Sequence, residues 1–140
     1  MSLGNGLTIT DQSIGVASSS TGVDVDGILG VGPTDLTQGT VANTDIVPTV
    51  VDNLFKQGVI TSPILGVNFA PASAPITQGE LTFGLPNDFV NYVPITSTHP
   101  ANQYWGVDQS IRYGDDTSIL STTAGIVDTG STLILIATGE

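Results

Sequence analysis

Apolar residues recur along this chain mostly at the two-residue spacing of strands, and only once at the three-to-four spacing of a helix. Leu7, Ile9 and Ile14, Val16 make two short alternating runs that predict a pair of strands, followed by a polar loop, SSSTG, at 18–22. In VDVDGILGVGP, at 23–33, Ile28, Leu29 and Val31 stand among Gly27, Gly30 and Gly32. That grammar predicts a buried strand with close backbone packing, stopped by Pro33. Residues 34–47 are polar and turn-like. The segment 48–58, PTVVDNLFKQG, sets Val50 or Val51 against Leu54 and Phe55, with Pro48 at its start and Gly58 just past Gln57. It predicts one short helix. Further strands are expected at 64–70, 79–84, 92–96, 104–114, 117–120 and 124–137, with the Pro- and Ala-rich PASAPITQ at 71–78 as a loop. There is no repeat, low-complexity tail or linker.

Composition supports the same class. With 17 Gly and 8 Pro among 140 residues, short strands and frequent turns fit better than long helices, so an all-β fold with about one helix is expected. A chain of this size has room for about one core. Thirteen acidic residues face only Lys56 and Arg112, a net charge of -11. Nucleic acid is excluded as a partner, because phosphate contacts need clustered Lys and Arg, and an anionic membrane is disfavoured for the same reason. The self-repulsion of such a chain relaxes as its carboxylates take up protons, which suits an acidic environment; plain solubility explains the charge equally well.

Absent residues narrow the chemistry further. No Cys means no disulfide, no thiolate nucleophile and no cysteine metal site, and His99 stands alone. A serine triad would have to use that one His, and zinc would need more ligands, so neither class is expected, nor any metal or other cofactor. No apolar stretch is long enough to span a membrane, and the first residues lack the features of a signal peptide. GILGVG at 27–32 is not followed by the Lys and Ser or Thr of a phosphate-binding loop. Asp24, Asp26, Asp115 and Asp116 lack EF-hand spacing and read as solvated turn carboxylates. Tyr104 and Trp105 read as half-buried strand aromatics.

AGIVDTGSTLILI, at 124–136, is the most informative stretch. A carboxylate, Asp128, followed by Thr-Gly-Ser-Thr lies between two apolar runs, which predicts a turn at the edge of a core. Gly130 permits close backbone approach, and the hydroxyls of Thr129, Ser131 and Thr132 are able to hydrogen-bond the carboxylate and orient it. An Asp-Thr-Gly turn alone is common in β proteins.

The chain resembles the pepsin-like aspartic peptidases, and most closely their basidiomycete polyporopepsin-type group. The resemblance rests on VDGILGVGP (25–33), TVVDNLFKQGVI (49–60), GELTFG (79–84), YVPITST (92–98), YWGVDQSIRYG (104–114) and TAGIVDTGSTL (123–133), all in that group's order. It implies a partial two-lobed fold, with residues 1–70 as the latter part of the first lobe and 71–140 as the first part of the second. It implies that Asp128 is one catalytic aspartate, supported by Thr129, Gly130, Ser131 and Thr132. Ile28, Leu29 and Gly30 would be the strand that backs the first lobe's catalytic loop. The first lobe's aspartate, the flap tyrosine and the second lobe's backing strand would lie outside the 140 residues, which would be less than half of a family member.

The resemblance further implies a secreted acid endopeptidase, its signal not within this chain, acting on peptide or protein substrates. Because the dyad chemistry needs two aspartates, the isolated chain is expected to be inactive unless it dimerises, and a homodimer or strand-exchanged oligomer is the expected partner arrangement. The alternative is a catalytically inactive β fragment that serves as a binding or structural module.

Overall fold

The computed structural model describes residues 1–71, 73, 75, 78–85 and 91–136. The chain divides into two units, residues 1–90 and 91–140.

In the first unit, helix α1 (Val50–Lys56) forms where the helical spacing predicted it. Its start is fixed by a capping box: the Thr49 hydroxyl accepts from the Asp52 N–H at 3.2 Å, and the Asp52 carboxylate accepts from the Thr49 N–H at 2.8 Å. Lys56 lies in the last turn, and Gly58 adopts φ 69°, the left-handed value that ends helices. The helix buries Val50 and Leu54, not Phe55, which stays exposed. Val50 and Leu54 join Ile9 and Ile60 in a small core, with Leu3, Leu7, Val51 and Phe83 packed around it. Strands β1 (Leu65–Phe69) and β2 (Gly79–Phe83) pair antiparallel, Leu65 opposite Phe83 and Phe69 opposite Gly79. Half of the PASAPITQ segment between them, residues 72, 74, 76 and 77, lies outside the described residues.

The second unit is a hairpin. Strand β3 (Gly106–Tyr113) pairs antiparallel with β4 (Thr117–Ile126), from Gly106 opposite Ile126 to Tyr113 opposite Thr117, with irregular register around Ile111. Turn residues Gly114 and Asp115 close it: Gly114 has φ 60°, and the Arg112 guanidinium donates to the Asp115 carbonyl. Buried Thr96 ties the preceding segment to β3, its N–H donating to the Gly106 carbonyl at 2.9 Å and its hydroxyl to the Asp108 carboxylate at 2.6 Å.

Five expectations need correction. Residues 7–9 and 14–16 do not pair as strands: Thr8 bridges Ser2, Ile9 enters the core, and Ile14 and Val16 are exposed. Residues 23–33 form neither a strand nor a buried segment. An alternating apolar pattern makes a strand only where another strand runs alongside it, and neither sheet of the described residues includes this segment. Residues 34–47, expected to be only turns, include a short 3₁₀ turn, Thr34–Thr37. Residues 92–96 are not a strand, in keeping with Pro94, which lacks an N–H. The two strands expected at 117–120 and 124–137 are one, β4, which crosses the polar Ser121–Thr123 and ends at Ile126; Tyr104 and Trp105 are half-buried as expected but precede β3 rather than lie in it. The chain is thus strand-rich with a single α-helix among its described residues.

Candidate active site

The ladder sets where Asp128 stands. Gly106 and Ile126 are the last pair of the hairpin, and beyond it the Val127 N–H still donates to the Trp105 carbonyl at 2.9 Å. One residue later the chain leaves the sheet and turns at Thr129 and Gly130. Gly106 is needed for this approach: a Cβ built there would lie 2.1 Å from the Ala101 carbonyl oxygen, so any side chain would push the backbone apart at the foot of the site.

Within the turn, the Asp128 carboxylate is held by both of its oxygens. The Gly130 N–H donates to Oδ1 at 2.9 Å, and the Ser131 hydroxyl donates to Oδ2 at 2.6 Å. The first is the reach of an Asp side chain to the backbone two residues on. The second is short, as hydrogen bonds to ionised oxygens are. The Ser131 hydroxyl, and after it the Gly130 N–H, favour the ionised form and hold the carboxyl below its ordinary value; slight desolvation opposes them. The carboxylate is exposed, ionised and fixed in orientation.

Of the residues predicted around Asp128, Ser131 and Gly130 reach it directly. Among the described residues, no hydrogen bond from Thr129 or Thr132 does. Thr129 to Thr132 are all exposed, as are Ile28, Leu29 and Gly30, which lie in the first unit outside any strand. The Trp105 carbonyl and Gly106, which anchor the strand leading to Asp128, were not singled out by sequence. The Tyr-Trp-Gly run gives no signal that its backbone meets residue 127. No group of three or more metal-ligating side chains occurs among the described residues, and none of their helices is long and apolar enough to cross a membrane.

Comparison with known proteins gives this turn its setting. Residues 3–140 match the family model described as eukaryotic aspartyl protease. The chain is 59% identical to polyporopepsin of Irpex lacteus over 140 residues, covering 94% of this chain and 41% of that protein. It is 39% identical to syncephapepsin of Syncephalastrum racemosum over 143 residues, covering 96% of this chain and 35% of the relative. The crystal structure of the aspartic proteinase from Irpex lacteus matches with a TM-score of 0.85 at 57% identity, covering 96% of this chain and 42% of that one. The chain therefore spans about two fifths of the length of the relatives it matches, and its architecture is part of a pepsin-like fold. It belongs to the eukaryotic aspartyl protease family.

Proposed function

We propose that Asp128 is one member of the carboxylate dyad of a secreted acid endopeptidase. The observation that carries this reading is the double clamp on an exposed carboxylate: Gly130 N–H on one oxygen, Ser131 hydroxyl on the other. A carboxylate so held keeps its charge into mild acid and presents a fixed face to a water molecule. Family membership and the names of the fungal pepsins it resembles support peptide hydrolysis and secretion.

The chemistry requires a partner carboxylate. Two such groups at about 3 Å share one proton, so that one draws a proton from the attacking water while the other donates to the scissile carbonyl oxygen. In this division of labour the clamped Asp128 suits the ionised, base role. A lone aspartate cannot hold both roles at once. The sequence contains one Asp-Thr-Gly, so the second aspartate would come from a second copy or from additional polypeptide.

The test is cleavage of an unstructured protein between about pH 3 and 6, with and without a statine-type transition-state inhibitor, comparing wild type with Asp128→Asn. Inhibitor-sensitive cleavage that the substitution abolishes supports the reading. Absence of cleavage in both, with the hairpin intact, removes peptidase activity from the chain by itself and favours the alternative of a binding or structural β module.

A further inference from the structure

One carboxylate oxygen in the first unit carries more than a helix cap. Asp52 Oδ2 accepts from the Thr49 N–H at 2.8 Å, from the Thr49 hydroxyl at 2.8 Å and from the Thr34 hydroxyl at 2.6 Å. The bonds from Thr49 are local and belong to the cap. The bond from Thr34 crosses 18 positions and reaches the 3₁₀ turn Thr34–Thr37.

That turn opens a loop that closes on itself. The Thr37 hydroxyl donates to the Thr34 carbonyl at 2.8 Å and accepts from the Val47 N–H at 2.7 Å, so the two ends of 34–47 meet at one side chain. Further in, the Gly39 N–H donates to the Asp45 carbonyl at 3.0 Å, and Val41 bridges Thr44. The loop gives no side chain to the core around Leu54, and most of its residues are exposed. Among the described residues, the Thr34 hydroxyl makes the one hydrogen bond that ties 34–47 to another element.

We infer that the Asp52 carboxylate is a proton-operated latch: charged, it holds the 34–47 loop to α1 through Thr34, and protonated, it releases the loop while the helix and its core stay folded. Three donors converge on one oxygen, an arrangement that negative charge sustains. A neutral carboxyl oxygen offers two lone pairs and binds each donor more weakly. Thr49 stays within reach at any charge, because it is three positions away and its hydroxyl also accepts from the Asp52 N–H at 3.2 Å. Thr34 has no such tie, so its bond is the one that fails. Burial raises the Asp52 pKa, but the bonds from Thr34 and Thr49 outweigh it and hold the native value below the ordinary one. The charged residues of the segments that meet here are Asp35 and Asp45 of the loop, Lys56 of α1, and Asp11 beside Gln12, which bonds Asn53. None of them is among the causes of the shift, so the proton on Asp52 itself is the switch. The loop is therefore held above the native pKa and released as pH falls through it. This device does not depend on Asp128 being catalytic.

The test is an NMR titration of the 140-residue chain from about pH 7 down to about pH 2. The Asp52 carboxyl carbon reads its charge. A nuclear Overhauser contact between the Thr34 and Thr49 side chains, whose hydroxyls share one oxygen, reads the latch, and amide exchange reads α1. The Thr34–Thr49 contact is expected at neutral pH and lost in step with Asp52 protonation, with protection in α1 retained. Asp52→Asn, neutral and of similar shape, should lack the contact at every pH. Thr34→Val removes the donor and spares the cap, so it should raise the Asp52 midpoint and keep α1 protected. A contact that persists through the Asp52 titration or in Asp52→Asn overturns the inference, as does an Asp52 midpoint unmoved by Thr34→Val. Loss of α1 protection together with the contact also overturns it, because acid would then unfold the unit rather than open a latch.

Discussion

The Ser131 hydroxyl lies 2.6 Å from Asp128 Oδ2 and donates to it. It is the foremost cause of the lowered carboxyl pKa, ahead of the Gly130 N–H. Ser131→Ala is therefore expected to move the Asp128 titration upward towards the ordinary carboxylate value, leaving the Gly130 bond to hold part of the shift. The sign for stability follows. A depressed native pKa stabilises the native turn above the unfolded pKa, and that contribution disappears as pH falls through the native value. A carboxyl-carbon NMR titration of Asp128 in both proteins checks this; an unchanged midpoint would remove Ser131 from the clamp.

Asp52 is the second depressed carboxylate. Burial raises its pKa, but hydrogen bonds from the Thr34 hydroxyl and from the hydroxyl and N–H of Thr49 outweigh burial and bring it below the ordinary value. Asp52→Ala removes the capping partner and leaves the Thr49 N–H unpaired, at an expected cost of about 1–2 kcal/mol near neutral pH. The difference should be full above the unfolded pKa of about 4 and shrink as pH falls through the lower native value. Urea denaturation of wild type and variant across pH 2 to 7, on the order of one point per unit, gives the answer. A difference that grows in acid would contradict this account.

What was legible in the sequence was whatever local pattern decides. Helix α1 announced itself through Pro48, the apolar spacing and Gly58, and β1, β2 and β3 through alternation bounded by turns. Patterns report a willingness to form strands, whereas a ladder needs a partner. Ile28–Leu29 and Leu133–Ile136 have the first and, among the described residues, lack the second. The reverse error occurred at Ser121–Thr123, where a polar stretch suggested a break; pairing of Thr123 with Gln109 carries β4 through it. At the site, Asp128 and its neighbours could be picked out by residue type, but which neighbour reaches which oxygen depends on turn geometry. The hold of Trp105 on Val127 spans 22 positions and leaves no local trace.

Leu54 is fully buried in a small core that, among the described residues, it forms with Ile9, Val50 and Ile60. Leu54→Ala should cost the first unit about 2–5 kcal/mol, the range for a large-to-small change that leaves a cavity. Against a typical total stability of about 5–15 kcal/mol, this is a severe loss for so small a core. Amide exchange is the suitable measurement, because it reads each unit separately: protection should fall in α1 and β1 while β3 and β4 keep theirs.

Thr96 offers the sharper test of how the Asp128 strand is held. Its hydroxyl serves twice, donating to Asp108 Oδ1 at 2.6 Å and accepting from the Thr98 N–H at 3.2 Å, while its own N–H meets the Gly106 carbonyl. Thr96→Val keeps the shape but leaves the Asp108 carboxylate without this donor and the Thr98 N–H without its acceptor. The expected cost is about 1.5–3 kcal/mol, characteristic of a hydrogen bond to a charged group. Thr96→Ser keeps the hydroxyl and should recover most of it, losing only the contribution of one methyl, about 1 kcal/mol. Thermal unfolding of the three proteins ranks them wild type, Ser, Val. If Val matched the wild type and Ser were the less stable, the packing of the methyl rather than the hydroxyl would be what joins residue 96 to β3, and the Asp108 contact would be incidental.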